Sequence, residues 1–311
     1  MSLVDLVYMK PPVRSLRDRR VLITGAASGI GRATAVAAAA EGAELVLTDL
    51  GAEGLDATVA EITASGGTVV FHQAGDISDY DWVRRFAAGV EAEVGVMDVV
   101  MNVAGISAWG TVDTLEHQQW RSLVEVNLMG PIHVIECFVP PMIRRGQGGH
   151  LVNVSSAAGL LAFPWHAAYS ASKFGLRGVS EVLRFDLRKH RIGVSLVCPG
   201  AVATPLVDTV QIAGVDISDE SVRSAVHRFQ RVAVSPERAA EAILDGVRRN
   251  RFLVYTSFDV RFGYWWARKF AFPYEVAMRL ANRQFDHLAR AGAVTAHPAG
   301  EDDDRLRSAD R

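Results

Sequence analysis

From about residue 19 the chain alternates short, continuous apolar runs with longer stretches whose apolar positions recur at helical spacing. The runs RRVLITG, AELVLTD, GTVVFHQ, VMDVVMNV, GHLVNVS, IGVSLVCP and RFLVYT predict seven strands. They lack strict alternation, as expected of strands covered on both faces. Helices are predicted at about 29–41, 53–65, 79–93, 117–145, 166–190 and 236–249. Pro140 and Pro141 should kink or end the last turn of the 117–145 helix, because proline lacks the amide hydrogen and crowds the preceding turn. Strands separated by helices imply right-handed crossovers, hence an α/β fold with a doubly wound parallel sheet.

Three segments fall outside this rhythm. Residues 1–18 form an N-terminal arm, which leaves 19–255 as the main α/β domain, and 204–235 read as a loop-plus-helix insertion near the substrate. Residues 256–311 form a C-terminal extension. It begins aromatic, continues as an amphipathic helix around 274–292 and ends in the polar tract PAGEDDDRLRSADR, whose composition argues against stable structure.

Composition narrows the function. A chain of 311 residues with net charge −2 has no basic footprint, so nucleic acid is not an expected partner. Cys137 and Cys198 are the only cysteines; they read as buried free thiols and have no metal-ligand spacing, so no metal is expected. No uninterrupted apolar stretch reaches the ~18–20 residues that span a bilayer. With Asp5 early in MSLVDLVYMKPPVRS, the N-terminus does not read as a signal peptide, and the expected location is cytoplasmic.

Two places carry candidate chemistry. The first is VLITGAASGIGRATA, where Gly25, Gly29 and Gly31 join the first strand to the first helix. Glycines allow a tight turn and close backbone approach, and the helix N-terminus offers free N–H groups to a pyrophosphate. Asp49 ends the second strand, at the distance where an acid accepts hydrogen bonds from an adenosine ribose. A 2′-phosphate there would be repelled by up to about 4 kcal/mol at close range. No Lys or Arg lies between Leu50 and Ala60 to offset that, and Arg32 falls on a solvated helix face, so NAD is expected over NADP. The second place is NVSSAAGLLAFPWHAAYSASK. Tyr169 and Lys173 are four apart and share a helix face, so an ammonium beside the phenol should lower its pKa. A tyrosine so poised exchanges a proton with an alcohol or carbonyl oxygen. Ser156, at the end of LVNVS, can give that oxygen a second hydrogen bond.

The order Thr24-Gly25-x-x-x-Gly29-x-Gly31, Asn102-Val103-Ala104-Gly105, Asn127, Ser156, Tyr169-x-x-x-Lys173 and Pro199-Gly200 resembles the short-chain dehydrogenase/reductase family, over about residues 19–255. The glycine spacing is similar to its compact subclass. The resemblance implies a Rossmann-type fold, with Tyr169 as general acid/base and Lys173 lowering its pKa while bonding the nicotinamide ribose. Ser156, thirteen before Tyr169, matches the family spacing, whereas Ser155 does not. Asn127 corresponds to the residue that holds a proton-relay water. Cofactor contacts are implied for Gly25, Ser28, Gly29, Ile30, Gly31, Asp49, Asp76, Ile77, Asn102, Ala104, Gly105, Tyr169, Lys173, Pro199, Gly200, Val202 and Thr204. Val103 departs from the family's usual second asparagine, with a modest packing change expected.

The implied reaction is reversible hydride transfer between NAD and a carbinol or carbonyl carbon. Ser107, Trp109, Leu160, Leu161, Phe163, Trp165, His166, Leu206 and Val207 lie near the expected pocket or in the core beside it, and their bulk favours an apolar secondary alcohol or ketone. His166 either bonds substrate or sits at the surface where a helix starts. The stretch FDVRFGYWWARKFAFPY is a pocket lid, a subunit contact or a peripheral membrane anchor, with packing on the body or a neighbouring subunit the first expectation. The resemblance implies a homo-oligomer, dimer or tetramer. Two alternatives remain open: an NADP-dependent carbonyl reductase, and a non-enzymatic NAD-binding regulatory module.

Overall fold

The computed structural model describes residues 13–204, 211–213 and 233–291. In chain order, the first half contains β1 (Arg20–Thr24), α1 (Gly29–Ala40), β2 (Glu44–Asp49), α2 (Ala52–Ala64), β3 (Thr68–Ala74), α3 (Tyr80–Glu93), β4 (Val99–Asn102) and β5 (Ala108–Trp109). Then follow α4 (His117–Val124), α5 (Gly130–Arg145), β6 (Gly149–Val154), α6 (Ala167–Asp186), β7 (Ile192–Cys198) and β8 (Gln211–Ile212). The last elements are α7 (Pro236–Arg248), β9 (Leu253–Tyr255), α8 (Phe258–Lys269) and α9 (Ala271–Ala291).

All seven predicted strands join one parallel sheet in the order β3-β2-β1-β4-β6-β7-β9. Strand order reverses at β1 and β4, so loops leaving their C-terminal ends open a crevice there. β4, β6 and β7 are buried at every position, whereas the edge strand β3 is partly exposed along its length. That difference follows from coverage: an inner strand needs apolar groups on both faces. Successive β1 side chains point to opposite sides. Val21 and Ile23 pack with Ala35 and Ala38 of α1, Leu55 and Ile62 of α2, and Ile243 and Val247 of α7. Leu22 packs on the other face with Val83 and Phe86 of α3 and Val134, Phe138 and Met142 of α5.

The helix expected at 117–145 departs from the sequence reading in two ways. A π-helical turn at Glu125–Met129 separates α4 from α5, and α5 continues past Pro140 and Pro141 to Arg145. Pro140 faces solvent, while Phe138, Val139 and Met142 are held against the sheet, so packing keeps the helix going where the local proline rule would end it. Among the described residues, His117–Arg145 is also the one helical stretch long and apolar enough to cross a membrane. Half of its apolar window is buried, and its inner face is core.

Val13 and Leu16 of the N-terminal arm are buried in the same core as α1. Most of the expected 204–235 insertion lies outside the described residues, as do residues 1–12 and the tail from 292. β5 and β8, two residues each, pair in a small parallel sheet that no sequence signal announced. Cys137 and Cys198 are free thiols.

One buried titratable group makes the fold sensitive to acid. His150 on β6 is fully buried, and its Nε2 lies 2.8 Å from Ser195 Oγ, which donates to the Arg251 carbonyl. Burial pushes the imidazole down to about 3. The folded form is therefore neutral between pH 3 and 6.5 while the unfolded form takes up a proton. Stability is complete above about pH 6.5 and falls as the pH drops towards 3, by at most about 5 kcal/mol. His150→Gln should flatten the decline in denaturant midpoint between pH 7.5 and 5; an unchanged slope would remove His150 as its source.

Candidate active site

The glycine turn after β1 is built by backbone contact. Gly25 has φ +72°, and a Cβ there would lie 2.7 Å from the Ala104 backbone. At Gly31 a Cβ would lie 1.8 Å from the Gly25 carbonyl oxygen. Only glycine lets α1 begin this close to the turn. Thr24 Oγ1 accepts hydrogen bonds from the amides of Val103 (3.1 Å) and Ala104 (3.2 Å), which ties the loop after β4 to the turn. Val103 packs on the main core. Ser28 occupies the N-cap of α1 but makes no side-chain cap bond, so its hydroxyl leaves the first-turn amides unclaimed. This is a cradle with the shape and polarity for a pyrophosphate.

The acids beside the cradle are already oriented. Asp49 accepts from the Ala27 amide on Oδ2 and from the Gly51 amide on Oδ1, both at 2.9 Å. Each oxygen keeps a lone pair for a further donor. Arg32 is paired with Glu61 at 2.6 Å. Asp76 is exposed and accepts from the Ser78 amide and hydroxyl. Ile77 beside it is buried against Gly130, with its carbonyl 3.0 Å from His133 Nδ1.

Two of the proton-handling candidates, Asn127 and Lys173, meet at Gly105. A Cβ on that residue would lie 2.9 Å from Asn127 Oδ1 and 3.2 Å from Lys173 Nζ. Asn127 sits in the π-helical turn, where its amide accepts from and donates to Ile106 (2.9 Å each) and reaches Ser172 Oγ at 3.3 Å. Turns of this kind carry an extra residue that redirects a side chain. Lys173 and Tyr169 lie one turn apart on α6, with Nζ 5.8 Å from the Tyr169 ring centre and donating to the Val154 carbonyl at 3.1 Å. Ser156 follows β6, and its Oγ accepts from the Ala158 amide.

The electrostatics differ from the sequence expectation. Burial pushes the Tyr169 phenol above its ordinary value, and a hydrogen bond with Ser156 pulls it part of the way back. Lys173, itself buried, is pushed down to about 8. In the protein alone the phenol therefore stays above its ordinary value even with the lysine beside it, because loss of water disfavours both charged forms at once.

Other expected residues fall into place unevenly. Asn102 is buried and donates to Asn153 Oδ1 at 2.9 Å; Asn153 in turn donates to Ser180 of α6. It links the sheet to α6, and its own Oδ1 has no protein partner. Pro199 accepts from the Ala157 amide at 2.7 Å and Gly200 donates to Thr256, which holds the end of β7 beside the Ser156 turn. Val202 is buried and bridges to Val234, and the Thr204 amide donates to the Val202 carbonyl. Of the pocket candidates, Leu160 and Leu161 are core, and Leu206 and Val207 lie outside the described residues.

An aromatic group adjoins Tyr169. The His166 ring lies tilted against Trp109 at 4.6 Å, with Phe163 at 5.9 Å and the Tyr169 ring at 6.3 Å. Trp109 donates to Ser107 Oγ. His166 does start α6 but is buried, which corrects the surface reading; its Nδ1 lies 2.6 Å from the Pro164 carbonyl, and burial pushes it down. Phe285, from α9, lies 5.6 Å from Trp165 and 6.4 Å from His166. Nothing local in the sequence marked Phe285, which lies more than a hundred residues further along the chain.

Comparison with known proteins gives the family and agrees with the fold. Residues 19–213 match the short chain dehydrogenase family. A Mycobacterium tuberculosis protein named as the oxidoreductase EphD is 36% identical over 238 residues, 75% of this chain. The chain spans only 40% of that relative's length. Another from the same organism, named as the oxidoreductase SadH, is 31% identical over 91% of this chain and 98% of its own. Among solved structures, a Burkholderia phymatum short-chain dehydrogenase/reductase in complex with NAD has a TM-score of 0.75 at 28% identity, covering 83% of this chain and 95% of its own. A metagenomic short-chain oxidoreductase in complex with NADP has a TM-score of 0.62 at 33% identity, covering 77% and 96%.

The buried ammonium predicts a trade between stability and site. Below pH 8 both folded and unfolded forms carry the Lys173 proton, and burial costs the fold about 3 kcal/mol; the cost is relieved as pH rises from 8 to 10.5. Lys173→Met should therefore raise the melting temperature at pH 7, and should lack the stability gain that the wild type shows between pH 8 and 10. Equal pH slopes for the two proteins would contradict this.

Proposed function

The chain belongs to the short-chain dehydrogenase family, and from that membership we propose that it is an NAD-dependent oxidoreductase interconverting an apolar secondary alcohol and its ketone. The observation that carries the reading is that Lys173 and Asn127 converge on Gly105, next to the glycine cradle, with the Tyr169 ring 5.8 Å from the Lys173 ammonium. The cradle suits a dinucleotide: Gly25 and Gly31 admit close backbone approach, and the first turn of α1 keeps its amides for an anion. Asp49, held by Ala27 and Gly51, retains lone pairs for ribose hydroxyls. Arg32 is engaged by Glu61, which supports NAD over NADP. When bound, the dinucleotide supplies the hydride acceptor or donor.

The protein's own part is proton management. Tyr169 takes the hydroxyl proton of an alcohol, or returns it to a ketone oxygen. Ser156 donates a hydrogen bond to that same oxygen and holds it beside the phenol. Lys173 supplies positive charge where phenolate forms, and its bond to Val154 fixes its reach. Asn127 anchors the loop after β4 through both Ile106 bonds, and Oδ1 keeps one lone pair towards Gly105 for a relay water. The rings of Trp109, Phe163 and His166 beside Tyr169 favour an apolar substrate over a sugar.

The test combines a variant with a substrate panel. Aliphatic, steroid and polyol alcohols, each offered with NAD and with NADP, should be oxidised best as an apolar alcohol with NAD. Tyr169→Phe should lower that rate by at least about a hundredfold while NAD binding persists. A polyol preference would reject the substrate class, an NADP preference the cofactor, and near-normal activity of the variant the mechanism.

A further inference from the structure

The aromatic stretch after β9 divides into two faces. Val260, Tyr264 and Ala267 of α8 pack inward with Leu160, Leu161 and Leu196. On the other side Phe258, Phe262 and Trp265 are 77%, 50% and 51% exposed, and Phe272 beyond them is 76% exposed. Four rings form a row: Phe258 meets Phe262 at 6.1 Å, Phe262 meets Trp265 at 5.8 Å, and Trp265 meets Phe270 at 6.0 Å. A continuous exposed ring ladder marks an interaction surface.

Charge identifies what the surface fits. α8 and α9 carry six basic residues (Arg261, Arg268, Lys269, Arg279, Arg283 and Arg290) and three acidic ones (Asp259, Glu275 and Asp286), a local balance of +3 on a chain of net −2. Glu275 is tied to Arg279, whereas Arg261, Arg268 and Lys269 are exposed and make no ion pair among the described residues. A second copy docking about a two-fold axis would set this basic row against itself. An anionic bilayer satisfies both features, with rings at the headgroup boundary and basic side chains on lipid phosphates.

We propose that the outer face of α8 with the start of α9 is a docking surface for an anionic lipid bilayer. α8 and α9 also cover the loop beside the candidate active site. The Ala162 amide donates to Tyr274 Oη at 2.8 Å, and Phe285 packs on Trp165. Docking there would place the cleft next to a source of apolar alcohols. That consequence rests on the function proposed above; binding itself needs no catalysis and is tested without it.

The experiment is co-sedimentation of the full chain with vesicles of phosphatidylcholine alone, or mixed about two-to-one with phosphatidylglycerol. The protein should sediment about tenfold more with the anionic vesicles and lose that excess in high salt. The pairs Phe262→Ser/Trp265→Ser and Arg261→Glu/Lys269→Glu should each lose the excess at unchanged melting temperature. Should the aromatic pair melt early, the charge-reversed pair, whose side chains are exposed and unpaired, decides alone. Sedimentation indifferent to lipid charge, or unaffected by the charge reversals, would overturn the proposal. So would a dimer in sedimentation velocity that the charge reversals leave in place and the aromatic substitutions dissociate, which would assign the face to a second copy.

Discussion

Lys173 is held out of water between Gly105, Asn127 and the Val154 carbonyl, and much of the candidate site exists to hold it there. Its ammonium is destabilised by burial, and the same burial raises the neighbouring phenol. Two groups strained in opposite directions, one towards losing a proton and one towards keeping it, form a pair that responds strongly to any added charge. A third group approaching the pair needs room, which the absence of a side chain at Gly105 supplies. The glycine turn after β1 is bound to the same loop through Thr24, so cradle and proton site share one support.

Much of the framework was legible because its causes are local. Inner strands of a parallel sheet are covered on both faces, so β4, β6 and β7 are buried throughout and mostly apolar, and stood out as nearly continuous runs. Helical periodicity and glycine spacing located α1 and its turn for similar reasons. Tyr169 and Lys173 were legible as a pair because four residues on a helix is one turn, but their electrostatics were not. The sign of the tyrosine shift depends on burial, which is set by the loop after β4, by α6 and by residues far apart in sequence.

The misread features share that origin. Pro140 and Pro141 obey a local rule that the packing of Phe138 and Met142 overrides. The π-helical turn at Asn127 is a tertiary adjustment that leaves no periodic trace. His166 looked like a surface residue at a helix start, and is buried among Trp109, Phe163 and Phe285 instead. Phe285 reaches it from a C-terminal extension whose outer face is aromatic and basic. The apolar bias of the proposed substrate and the character of that extension thus describe one corner of the molecule.

Under the proposed function, Tyr169 is a reluctant acid in the protein alone and becomes a competent one only when further positive charge joins Lys173. The most direct test is ultraviolet difference titration of tyrosinate, wild type minus Tyr169→Phe, with and without NAD. A Tyr169 transition above the ordinary tyrosine range is expected in the protein alone, moving to clearly lower pH when oxidised NAD is present. A transition already below that range without NAD, or one that NAD leaves in place, would contradict it.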